Sequence, residues 1–108
     1  MTRKDGCKPG EFLKDGKCTS ITNICKEISE HPLMIHPGQP IALYPVMGKG
    51  GYWIMAKVWR NESGYEPWEN WRFSNEEDAS HVCDTLNHSL GLTKDDVYDI
   101  VTSSMLRR

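Results

Sequence analysis

Long apolar runs are missing from this chain of 108 residues. None approaches the roughly 20 consecutive apolar residues that a membrane-crossing helix needs, so no such helix and no membrane partner are expected. The start, Met1-Thr-Arg-Lys-Asp-Gly, runs on into polar residues and lacks the apolar centre of a signal peptide. A cytoplasmic protein with reduced thiols is therefore expected. Signatures of catalysis are equally scarce. No nucleophile stands beside an evident base, no paired carboxylates are framed, and Gly48-Lys-Gly-Gly51 lacks the Ser or Thr and the strand-loop-helix setting of a phosphate loop. The expectation is a non-catalytic protein without a cofactor.

Basic residues are few in the second half. Residues 61–108 hold four Lys or Arg against ten Asp or Glu, a balance of −6, whereas residues 1–60 hold nine against five, a balance of +4. A chain so polarised steers a basic partner towards its acidic half. The candidate acidic contacts are Glu66, Glu69, Glu76, Glu77, Asp78, Asp84, Asp95, Asp96 and Asp99. Phosphate neutralisation needs Lys and Arg, so this half is a poor binder of nucleic acid.

The length suits one domain, 1–108, with three parts: a loop and short helix over 1–39, an antiparallel sheet over 40–73, and a two-helix hairpin over 74–106. The first 19 residues read as a loop or small hairpin around the turn signal Lys-Asp-Gly at 14–16. Ser20 is placed to cap a helix to about Glu30, with Ile21, Ile24, Cys25 and Ile28 as its apolar stripe. Three of the six prolines fall in 32–40, which reads as an extended connection.

Ile41 to Met47 and Tyr52 to Arg60 are β-prone runs joined by a glycine-rich turn, the pattern of a hairpin. In the second run Tyr52, Ile54, Ala56 and Val58 alternate with Trp53, Met55, Lys57 and Trp59, and the first set reads as the core face. A third strand, about Trp68 to Phe73, is interrupted at Pro67 and so reads as an edge. Ser74 and Glu77 form a capping box for a helix with the stripe Ala79, Val82, Cys83, Leu86 and Leu90, stopped by Gly91. Thr93 and Asp96 repeat the box before the stripe Val97, Ile100, Val101 and Met105. The fold class is α+β: a three-stranded antiparallel sheet followed by two C-terminal helices covering one of its faces, with a short N-terminal segment at an edge.

Cys7, Cys18, Cys25, His31 and His36 crowd the first third and are weak candidates for a zinc site, since no Cys-x-x-Cys knuckle presents two of them together. Cys7 and Cys18 flank the Asp15-Gly16 turn and would meet as a disulfide under oxidising conditions. With the basic first half, these residues support a second reading as a metal- or nucleic-acid-binding module. His81, Asp84 and His88 share one helical face, where solvation is the simpler account. Cys83 reads as core. Trp53, Trp59 and Trp68 are candidate anchors for a partner, because Trp is a preferred interface residue. Homodimerisation is a further reading of the irregular edge strand and the tryptophan-rich sheet face.

The run from Trp71 to Met105 carries Phe-Ser-x-Glu-Glu-x-Ala, Cys-Asp-x-Leu-Asn, Leu-Gly-Leu-Thr and Ile-Val-x-Ser-Ser-Met. It resembles the ends of small uncharacterised proteins encoded by bacteriophages and other mobile elements. The resemblance implies a shared fold and points to an interaction role. Such proteins include inhibitors of host defence of the anti-CRISPR type, which present acidic surfaces to nucleic-acid-binding sites of host proteins.

Overall fold

A computed structural model describes residues 7–30, 41–62 and 64–106, the last without the side chains of Met105 and Leu106. His31, His36 and the extended connection expected over 32–40 lie outside the described residues.

The chain runs β1 (Glu11–Lys14), β2 (Lys17–Ser20), α1 (Ile21–Glu30), β3 (Ile41–Met47), β4 (Trp53–Trp59), β5 (Glu66–Phe73), α2 (Glu76–Ser89) and α3 (Lys94–Leu106). The class is α+β, with an antiparallel sheet and two C-terminal helices as expected. The sheet is larger than expected: β1 and β2 join it, giving five antiparallel strands in the order β2-β1-β5-β4-β3. Asp15 and Gly16 close β1 to β2 with φ of 54° and 85°, the two left-handed positions that a tight hairpin turn requires.

Pro67 does not mark an edge strand. β5 is interior, but it kinks: Ala56 pairs with Pro67 and Ile54 with Arg72, so residues 68–71 bulge opposite Met55, with Glu69 at φ 50°. β1 joins β5 only on the C-terminal side of Pro67, through Leu13 with Arg72 and Lys14 with Trp71, with Asp15 N–H donating to Asn70 O. The proline therefore sits on a stretch where no β1 partner claims its missing N–H.

Both sheet faces are covered, which corrects the expected hairpin of helices on one face. The larger core lies on the side of Trp53 and Met55, where Phe12, Leu43, Trp68, Trp71 and Phe73 meet Ile21, Ile24 and Ile28 of α1 and Ala79, Val82, Cys83 and Leu86 of α2. Phe12 stacks on Phe73 at 4.6 Å between ring centroids. The set expected to face the core instead forms the smaller one, where Ala42, Ala56 and Val58 pack against Ile100 of α3, with Val46, Leu92 and Val97 around them. Alternation in β4 is apolar on both sides, because both sides are buried.

The helix ends follow local chemistry. Ser20 Oγ accepts from Asn23 N–H. α2 begins one residue later than expected: Asn75, not Ser74, is the cap, with Oδ1 accepting from Asp78 N–H at 2.9 Å and Nδ2 donating to Asp78 Oδ2. Glu77 is thereby left free of the capping role expected of it. Gly91, at φ 82°, stops α2, and Leu92 N–H donates to Asn87 O as in a Schellman ending. Thr93 and Asp96 form the expected box. Serines of α3 reach back to the β4–β5 turn, Ser103 Oγ accepting from Asn61 N–H and Ser104 donating to Glu62 O. Among the described residues no helix is long and apolar enough to cross a membrane.

Candidate functional site

Two concavities border α2. The first, about 570 Å³ and open, is lined by Glu76, Glu77, Ser80, His81 and Asp84. Three carboxylates line it, and no Lys or Arg among the described residues does. The second, about 480 Å³, is mostly apolar and lies between α2, the start of α3 and β3. Tyr44, Leu92, Val97 and Tyr98 line it together with Asp84, Asn87, His88, Thr93 and Lys94. Asp84 belongs to both.

The remaining acidic candidates are dispersed. Asp78 and Asp96 are engaged at helix caps. The Asp96 carboxyl is held below its usual value by the Thr93 backbone N–H and then by the Thr93 hydroxyl. Glu66 lies 3.8 Å from Lys57 Nζ, and Glu69 is exposed at the β5 kink. Asp95 and Asp99 are exposed on α3, on the other side of the sheet from α2. The candidates thus do not form one face, and only Glu76, Glu77 and Asp84 are brought into one concavity.

The tryptophan candidates are mostly interior. Trp68 is 9% exposed within the larger core, its Nε1 finding no hydrogen-bond partner among the described residues, and Trp53 is half-buried against the same core. Neither offers the exposed ring that an interface anchor needs. Trp59 is half-buried beneath Lys57, whose Nζ stands 5.7 Å from the Trp59 ring and 6.0 Å from that of Trp68.

Cys7 and Cys18 are bonded as a disulfide, with Cα atoms 5.5 Å apart, which corrects the expectation of reduced thiols at these two positions. Glu11 offers a carboxylate oxygen within 4.8 Å of both sulfurs, the only such group of potential metal ligands among the described residues. Zinc takes thiolates, so the bonded sulfurs do not serve it. Cys25 lies elsewhere, half-buried on α1, its sulfur accepting from the Thr85 hydroxyl of α2. His81, Asp84 and His88 do not gather as ligands, the two imidazoles lining different concavities. Cys83 is buried, and desolvation followed by the Asp84 charge pushes its thiol well above the ordinary range, so it is no nucleophile.

Residues that sequence reasoning passed over complete the site. Asn87 is buried on the apolar face of α2, with Oδ1 accepting from Leu43 N–H and Nδ2 donating to Leu43 O. An amide on an apolar stripe was the signal, since a buried polar group needs a partner. Tyr44 and Tyr98 carried no such mark, because their neighbourhood exists only in the fold. No family model, no characterised protein and no solved structure matches the chain.

Proposed function

We propose that this chain is a non-catalytic interaction module of phage or mobile-element origin that binds a basic surface of a host protein through the acidic concavity of α2. The observation that carries the reading is the convergence of Glu76, Glu77 and Asp84 around one open groove that no Lys or Arg of the described residues lines. Carboxylates of one sign in a concavity reinforce one another's field, speed the encounter with a cationic partner and reject acidic ones. The phage origin rests on the likeness of the C-terminal run. The anti-defence role follows from it if the bound surface is one that holds nucleic acid.

A cytoplasmic location belongs to the same proposal and carries a condition. A reducing compartment opens Cys7–Cys18, so the β1–β2 hairpin must then hold through its backbone ladder and the packing of Phe12.

The test is an affinity capture from host lysate at low and high salt, run beside a Glu76→Gln/Glu77→Gln/Asp84→Asn variant. These exchanges spare the cap residue Asp78. A stoichiometric basic partner that is lost both at high salt and with the folded variant is expected. The same partner retained by the folded variant overturns the reading.

A further inference from the structure

Of the four large apolar side chains exposed among the described residues, two converge on one place. Tyr98, 70% exposed, and Tyr44, 36% exposed, both line the apolar concavity. Scattered single exposed apolar residues are ordinary; two phenol rings around one apolar hollow are the composition of a recognition site. Leu92 and Val97 supply its apolar lining.

The adjoining edge strand narrows what can enter. The β3 groups that face away from β4 belong to Ile41, Leu43, Pro45 and Met47, as the bond from Gly48 N–H to Tyr52 O sets the alternation. At Leu43 both backbone groups are taken by Asn87, and Pro45 has no N–H. A partner is therefore refused a continuous strand pairing here, and what remains open to it is the hollow.

Charge identifies the occupant. Asp84 lines both concavities, so the apolar hollow and the groove of Glu76 and Glu77 are neighbours along α2, with Lys94 at the α3 side of the hollow. Along α2 Glu76 and Asp84 are eight positions apart, about 12 Å at the helical rise. We infer that the two concavities together bind one short segment of a partner that carries Arg or Lys for Glu76, Glu77 and Asp84 and one large apolar side chain for the hollow beside Tyr98. An extended segment covers about 3.4 Å per residue, which separates cations from anchor by roughly two to five residues. This inference rests on the acidic-groove reading and adds a distinct contact to it.

The test uses a fluorescein-labelled synthetic peptide with two arginines, a glycine-serine spacer of three residues and one phenylalanine, titrated by anisotropy against the full chain. A second peptide replaces phenylalanine by alanine. The phenylalanine peptide is expected to bind about tenfold more tightly, a ratio in keeping with burial of one aromatic ring. Tyr98→Ala, on an exposed helical position, should bring the two peptides to equal affinity while leaving the salt-sensitive binding of the alanine peptide in place. Amide signals of Leu92 and Val97 should shift with the first peptide only. Equal affinities for the two peptides on the wild-type chain, with salt sensitivity retained, overturn the anchor and leave the acidic groove standing. Binding of neither peptide overturns both. A phenylalanine preference that survives Tyr98→Ala overturns the assignment of the anchor to this hollow.

Discussion

The side-chain amide of Asn87 grips the backbone of Leu43 at both ends, its Oδ1 accepting from Leu43 N–H at 2.8 Å and its Nδ2 donating to Leu43 O at 2.9 Å. A helix side chain thereby stands in for a sixth strand at the middle of β3. Replacing Asn87 with Ala strands two backbone groups in a buried setting, and each unsatisfied group costs about 1–3 kcal/mol. Asn87→Ala should lower the unfolding free energy by about 2–4 kcal/mol, read from the denaturant midpoint. The variant should also associate with rising concentration on size-exclusion chromatography, since an uncapped edge invites pairing. A stable, monomeric variant would mean that water replaces the amide without loss.

The Cys7–Cys18 disulfide closes a loop with a sequence separation of 11. Restricting an unfolded loop of that size is worth about 2–3 kcal/mol in the chain-entropy account. A Cys7→Ser/Cys18→Ser variant should lose about that much in chemical denaturation. Dithiothreitol should lower the melting temperature of the wild type and leave the variant unmoved. A chelator should move neither, because the bonded sulfurs hold no zinc.

How much of this was legible in the sequence depended on range. Thr93 with Asp96, the Asp15-Gly16 turn, and the stripes Ile21–Ile24–Ile28 and Ala79–Val82–Cys83–Leu86 are relations of a few residues, and each is formed as read. Ser74-Asn-x-Glu-Asp holds two capping boxes in adjacent registers, and no local rule chooses Asn75 with Asp78 over Ser74 with Glu77. The Ala56–Val58 face of β4 is a core face as expected, but the smaller of two, and the sequence does not mark the second. Trp53 and Met55 are as apolar as Ala56 and Val58, so the period of two indicates a strand but not a side, and helices on both faces remove the contrast. The edge position given to β5 failed because β1, more than fifty residues earlier, pairs beyond the proline. For the site, composition located acidic residues but not their partition by the sheet, and the hollow of Tyr44, Leu92 and Tyr98 is assembled from β3 and the start of α3.

Cys83 makes stability depend on alkaline pH. Its thiol, buried beside Asp84, is held far above the ordinary value of 9.0, whereas the unfolded chain ionises near that value. The folded state then binds the proton that the unfolded state releases, so the contribution is complete below pH 9 and falls as pH rises above it. The expected slope is about 1.4 kcal/mol per pH unit between pH 9 and 11. Cys83→Ala should flatten that slope when unfolding is measured across the same range. In native protein a thiol reagent at pH 8 should label Cys25, which is half-buried, and reach Cys83 only after denaturation.

The separation of α2 from α3 by the sheet is tested by additivity. Val82 of α2 lies in the larger core and Ile100 of α3 in the smaller one, with the β3–β4 backbone between them. Val82→Ala should cost about 1–3 kcal/mol and Ile100→Val about 0.5–1.5 kcal/mol. Two helices packed as a hairpin on one face would share neighbours at such positions, and the double variant would depart from the sum as one cavity relaxed into the other. Across a sheet there is no shared neighbour to relax, because each side chain contacts its own face of the strands. The double variant should therefore equal the sum of the singles within about 0.5 kcal/mol in denaturant unfolding. A coupling of more than about 1 kcal/mol would place the two helices against each other and undo the two-core architecture on which the α2 groove depends.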